Sequence, residues 1–118
     1  MFGLNLTNYT EITIDAITAA LNGRKKDECN YIRLNETNKV KIYDHAFEND
    51  FPNLEYISNV DSISSIGNYA FYNCNKLSTR GYTNAKYIGD HAFENCGLTG
   101  LLNIRNCEQI GKYAFSNC

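Results

Sequence analysis

The chain has 118 residues, enough for one domain with a modest core and too few for a separate catalytic module beside it. Eleven basic against thirteen acidic residues leave a net charge of −2, so no strong field draws in nucleic acid or an anionic membrane. No window reaches the ~20 apolar residues that span a bilayer. The amino terminus, MFGLNLTNYTEITIDAITAA, lacks a basic start followed by an unbroken apolar stretch, and a soluble protein is expected.

The first third, residues 1–38, reads as a cap on the remainder of the chain. Thr10 is placed to N-cap a helix over about 11–22, with Glu11 and Asp15 near its positive end, Gly23 just beyond it, and Arg24, Lys25 and Lys26 beside its negative end. Ile14, Ile17 and Leu21 share one helical face. The β-branched residues lower helix propensity, so a strand over 10–14 competes with the helix. Next come two alternating segments, NYIRL at 30–34 and KVKIY at 39–43, as a hairpin or as an extra rung.

From there one block returns four times: IYDHAFEND at 42–50, IGNYAFYNC at 66–74, IGDHAFENC at 88–96 and IGKYAFSNC at 110–118. Its Ala-Phe pair recurs at Ala46, Ala70, Ala92 and Ala114, with periods of 24, 22 and 22 residues, which fall in the leucine-rich-repeat range. Such a chain is a solenoid of short rungs, each unable to bury its apolar face alone. Leu54, Leu77 and Leu98 open extended segments at 54–60, 77–83 and 98–104, expected to pair side by side as a parallel ladder. Ile57 and Leu101 match at the third position after the leucine, and Arg80 breaks that pattern in the middle rung.

The Ile-Gly step turns the chain, glycine suiting either an unusual backbone conformation or a close approach of neighbouring coils. The Ala-Phe segment is expected to form one helical or 3₁₀ turn on the opposite side, with Phe47, Phe71, Phe93 and Phe115 stacked as a spine. Cys74, Cys96 and Cys118 fall in one column, with Asp50 taking that place in the first repeat. Side chains at equivalent positions run parallel and the cysteine total of five is odd, so buried free thiols are expected there.

The run Ile-Gly-x-x-Ala-Phe-x-x-Cys-x-x-Leu is similar to the BspA-like class of leucine-rich repeats, over about residues 40–118. The resemblance implies a right-handed, curved α/β solenoid with a parallel strand ladder and short helical turns opposite. The expected organisation is one domain, with a helical or hairpin cap at 1–38 and repeats at 39–118. The resemblance also implies protein or surface-ligand binding on exposed faces, with no enzyme activity and no catalytic residues. The chain departs from the family pattern at Asp50 and in lacking a proline after the strand.

His45 and His91 occupy identical DHAFEN segments, beside Asp44, Asp90, Glu48 and Glu94. They stand two rungs apart, ~10 Å, with Tyr69 between them, whereas the ligands of one zinc lie within ~2.1 Å of it. A solvated column of His45, Tyr69, His91 and Tyr113 is expected, with no metal and no cofactor. The outward residues of the strand ladder are the candidate partner surface: Glu55, Ser58, Ser78, Arg80, Tyr82, Thr99, Leu102 and Arg105.

The expected function is that of a non-enzymatic protein-protein interaction module. A small cytoplasmic inhibitor or adaptor, such as a phage or mobile-element anti-defence (anti-CRISPR-like) protein acting in the host cytoplasm, is the specific version. The alternative is a fragment or relative of an exported adhesin, secreted or at the cell surface. Another protein is the expected partner, and the carboxy-terminal end, which reads as uncapped, is the expected place for a homodimer.

Overall fold

The computed structural model describes residues 1–37, 39–98 and 102–118, and of Leu102 only the backbone. Its described strands are β1 (Phe2–Leu6), β2 (Glu11–Ile12), β3 (Cys29–Leu34), β4 (Val40–Ile42), β5 (Tyr56–Ser58), β6 (Ile63–Ile66), β7 (Gly81–Tyr82), β8 (Tyr87–Ile88), β9 (Leu102–Asn103) and β10 (Gln109–Ile110). Among the described residues one α-helix, α1 (Ile14–Leu21), comes after β2, with 3₁₀ turns at Lys26–Glu28 and Val60–Ser62. Even-numbered strands form a five-stranded sheet in the order β10-β8-β6-β4-β2, and odd-numbered strands form two others, β1-β3-β5 and β7-β9. Every pairing is parallel, as it must be when each strand meets its counterpart one repeat later.

Isoleucine sets the register of the larger sheet. Ile12, Ile42, Ile66, Ile88 and Ile110 stand opposite one another, β-branched residues suited to a pleated surface. The first four are buried and Ile110, on the edge strand, is 51 % exposed. The core between the sheets continues through the buried alanines and the expected phenylalanine spine. Adjacent rings of Phe47, Phe71, Phe93 and Phe115 stack with centroids 5.1, 5.2 and 5.3 Å apart.

The first third corrects several sequence-based expectations. Glu11 and Ile12 pair with Lys41 and Ile42, so the helix begins at Ile14 and Thr13 is its N-cap, in place of Thr10. The Thr13 hydroxyl accepts from the Ala16 N–H at 3.1 Å. Ile14 consequently points outward at 51 % exposure, and the buried face is Ala16, Ile17 and Leu21. Arg24 closes the other end, donating from Nε to the Leu21 carbonyl at 2.9 Å and from Nη2 to that of Ala20 at 3.0 Å. Segments 30–34 and 39–43 do not form a hairpin: β3 joins β1 and β5, whereas β4 joins β2 and β6.

The Ala-Phe segments are neither α-helical nor 3₁₀. His45, Asn49 and their counterparts Tyr69, Asn73, His91, Asn95, Tyr113 and Asn117 have φ between 57° and 65°, in the left-handed region that a right-handed helix excludes. A helix spends its N–H groups internally, but here alternate ones reach across to the next repeat. The N–H groups of His45, Phe47 and Asn49 donate to the carbonyls of Asn68, Ala70 and Tyr72 at 2.8, 2.7 and 2.9 Å, and the pattern repeats from Tyr69 and from His91. Asparagine tolerates the left-handed conformation and adds a carboxamide chain. Asn73 donates to the Asn49 oxygen at 2.7 Å, Asn95 to Asn73 at 2.7 Å and Asn117 to Asn95 at 3.0 Å.

The strand ladder of the odd-numbered strands is split, which overturns the continuous ladder expected over 54–60, 77–83 and 98–104. Thr79, 3 % exposed, takes the inward place opposite Ile57, and Arg80 is exposed. The Thr79 hydroxyl accepts from the Ile57 N–H at 3.4 Å and lies 3.3 Å from the Ile57 carbonyl, to which it donates. A side chain thus serves backbone groups that a strand would pair, and β7 starts a new sheet at Gly81, whose φ is 104°. Leu101 and its place in that pattern lie outside the described residues.

The cysteine column sits behind the spine. Cys74 donates to the Phe47 carbonyl at 3.4 Å, Cys96 to that of Phe71 at 3.1 Å and Cys118 to that of Phe93 at 3.1 Å. All five cysteines are free, with Cys29, Cys74 and Cys96 buried. Burial pushes the Cys74 thiol from 9.0 up to about 12 and raises that of Cys96 as well. A group whose proton is held more tightly when folded contributes stability that is complete below its unfolded pKa. That stability should therefore fall as pH climbs from 9.0 toward about 12, read as a declining melting temperature. At neutral pH, alkylation of the native protein and subsequent mass spectrometry should label Cys107 and Cys118 and spare the three buried thiols. Rapid labelling of Cys74 would contradict this packing.

Candidate functional site: a groove over the five-stranded sheet

Two columns face outward from the five-stranded sheet because strand side chains alternate. The first is Glu11, Lys41, Ser65, Tyr87 and Gln109, in register across β2, β4, β6, β8 and β10. The second comes directly after the isoleucines and reads Thr13, Tyr43, Gly67, Gly89 and Gly111. Apart from Glu11, their residues and the start of α1 line a groove of about 1230 Å³.

Glycine makes its floor. A β-carbon on Gly67 would lie 2.5 Å from the Asp44 backbone nitrogen, and one on Gly89 would lie 2.5 Å from that of Asn68. Both glycines lie outside the positive-φ region. Close approach, the second of the two roles expected for this residue, is therefore the operative one, and the floor is bare backbone. Beside it runs a column of side-chain caps. Asp44 Oδ1 accepts from the Asn68 N–H at 2.8 Å, Asn68 Oδ1 from Asp90 at 2.9 Å and Asp90 Oδ1 from Lys112 at 2.9 Å.

Tyr43 and Tyr87 rise from the groove, Tyr87 49 % exposed. The Tyr43 hydroxyl donates to Glu11 Oε1, and that bond raises the phenol pKa. The lining carries four carboxylates, Asp15, Asp44, Asp90 and Glu108, against one ammonium, Lys41. Glu108 is loosely paired to Lys86 at 3.9 Å. Since the whole chain carries only −2, this wall is acidic well beyond the average of the surface.

The described part of the surface picked out from the sequence lies along the other two sheets and the loops that flank their strands. Glu55, Ser78, Arg80, Tyr82 and Arg105 are exposed there. The Ser78 N–H donates to the Glu55 carbonyl at 2.8 Å, and the Arg105 guanidinium lies 5.8 Å from the Tyr82 ring centre. Ser58 is half-buried, with its hydroxyl 3.3 Å from the Ile32 carbonyl. Thr99 and the Leu102 side chain lie outside the described residues.

On the turn side, His45, Tyr69, His91 and Tyr113 form the expected column, with centroid spacings of 5.3, 4.6 and 5.2 Å. Stacking occupies the ring faces, and His45 and His91 each engage the glutamate three residues on through Nδ1. Among the described residues no group of three or more His, Cys, Asp or Glu is arranged to hold a metal ion.

Sequence reasoning passes over the groove because its glycines and its Asp44, Asn68 and Asp90 sit inside the repeated block and read as structural. Its other wall, Lys41, Ser65, Tyr87 and Gln109, varies at the position just before each block, and that variation becomes a signal only once the strand register sets these residues side by side.

A model of the BspA-type leucine-rich-repeat region, in six copies, matches residues 4–118. The match takes in the first third as well as the four blocks with Ala-Phe. No curated protein and no solved structure matches the chain. Among the described residues no helix is long and apolar enough to cross a membrane.

Proposed function

Because the chain belongs to the BspA-type leucine-rich-repeat family, we propose that it is a protein-binding module without a reaction of its own, whose partner seats in the groove over the five-stranded sheet. The observation that carries this reading is the groove itself, with Tyr43 and Tyr87 exposed above a glycine floor. Tyrosine supplies a large, stiff contact area with a polar tip, the usual character of an interface anchor. The repeats are read as one right-handed solenoid, which the parallel pairing of each strand with its counterpart one repeat later supports. A homodimer through the surface that carries Ile110 and Tyr113 is compatible with the same fold and is supported by their exposure.

Two locations each have one observation in their favour. Family membership supports an exported relative of surface adhesins. The five free cysteines, three of them buried, support a reducing compartment and hence a cytoplasmic inhibitor or adaptor.

Selection of a random-peptide display library on the immobilised protein tests the binding face. Tyr43→Ala and Tyr87→Ala should each weaken the selected binders by more than ~1 kcal/mol, while Arg80→Ala and Tyr82→Ala on the other sheets leave them unchanged. The reverse result would move the functional face to the columns that run from Glu55 to Arg105.

A further inference from the structure

The geometry points to a basic, extended peptide segment as the occupant of this groove, with lysine or arginine at every third position. The inference rests on the groove being the binding face and adds the chemistry of what it takes. Its first support is charge. Asp15, Asp44 and Asp90 are exposed along the groove, Lys41 is the one cation among its lining residues, and Lys112 follows Asp90 at the far end of the capping column. An acidic cleft concentrates cationic partners and turns away acidic ones.

Spacing is the second support. Asp44 and Asp90 occupy one column two repeats apart, which at ~4.8 Å per parallel strand is ~10 Å. A polyproline-type chain rises ~3.1 Å per residue and returns to the same face every third residue, giving ~9.3 Å. Basic side chains at i and i+3 of such a segment would meet both carboxylates at once. Each carboxylate uses Oδ1 to cap the next repeat, so Oδ2 is the atom turned to the ligand. Tyr43 and Tyr87 offer ring faces on which a cation is favoured.

The natural sequence supplies a clean substitution. Asn68 fills the same column between the two aspartates and makes the same cap through Oδ1, so Asp44→Asn and Asp90→Asn remove charge while keeping the hydrogen bonds. Fluorescence anisotropy with a labelled peptide of repeated Lys-Pro-Pro units, set beside Gln-Pro-Pro and Glu-Pro-Pro peptides of equal length, gives the test. The lysine peptide should bind, lose affinity as salt rises, and bind at least about tenfold more weakly to the doubly substituted protein. Arg80→Ala should leave its affinity unchanged.

Equal binding of the three peptides, or no effect of the two asparagines, would overturn the inference. If display-selected binders instead prove neutral or acidic yet still depend on Tyr43 and Tyr87, the groove stands as the binding face and only its preference for basic segments fails. Concentration-dependent self-association abolished by the same two substitutions would overturn it in favour of a second copy of this chain.

Discussion

Phe71→Ala should lower the stability by about 3–5 kcal/mol, a large part of the about 5–15 kcal/mol that holds a domain of this size together. The ring is fully buried and stacked on both faces, at 5.1 Å from Phe47 and 5.2 Å from Phe93. Its neighbours cannot collapse into the space, because the N–H groups of Phe71 and Phe93 are held to Ala92 and Ala114 at 2.8 and 2.7 Å. The cavity therefore persists and adds to the lost transfer energy. Phe115, half-buried and stacked on one face, provides the comparison, and its alanine variant should cost clearly less. Urea melts of both variants measure the difference. Equal midpoints would mean that the spine is not what holds the repeats together.

Gly89→Ala is expected to destabilise by about 1–3 kcal/mol, although it adds a single methyl. The added β-carbon would lie 2.5 Å from both the backbone nitrogen and Oδ1 of Asn68 and 2.6 Å from the Gly67 carbonyl carbon. Relief requires the two repeats to separate. They are held by Gly89 N–H to the Ile66 carbonyl at 2.9 Å and by Asp90 N–H to Asn68 Oδ1 at 2.9 Å, so separation stretches both bonds. Gln109→Ala, an exposed change on the same sheet, should stay within about ±0.5 kcal/mol. A thermal melt in which the two variants coincide would show that the repeats do not need this contact.

Repetition makes much of this fold legible. Phenylalanine and alanine at fixed offsets require a shared environment, and the spine, the buried alanines and the cysteine column come from that alone. Choices settled between repeats are not legible in the same way. Thr13 caps the helix in place of Thr10 because Glu11 and Ile12 gain strand partners in Lys41 and Ile42, a tertiary gain that outweighs local capping. Thr79 and Arg80 exchange inward and outward places because a hydroxyl can serve the Ile57 backbone, an option that spacing from Leu77 does not reveal. The first third lacks the Ala-Phe pair, so nothing in its spacing reveals that β1 to β3 join the sheets of the later repeats or that the family match begins at residue 4. The groove residues are hidden for a different reason: their side chains vary, and variability at one position carries no signal until its neighbours are placed on a surface.

The turn segments give the molecule an electrical direction. In a parallel sheet, hydrogen bonds to the two neighbours point both ways and their dipoles largely cancel. The turns behave otherwise, since in each of three successive interfaces the N–H belongs to the earlier repeat and the carbonyl to the later one. The peptide dipoles there align as they do along a helix axis, with the positive end toward residues 113–117 and the negative end toward residues 44–50. The carboxamide chain runs the opposite way, each later asparagine donating to the earlier, and so offsets part of this field. Lys26 stands near the negative end, 3.4 Å from Asp50, where a cation is favoured by the backbone as well as by its partner. Each repeat added to such an array would lengthen the dipole, so the electrostatics of its two ends depend on how many repeats lie between them.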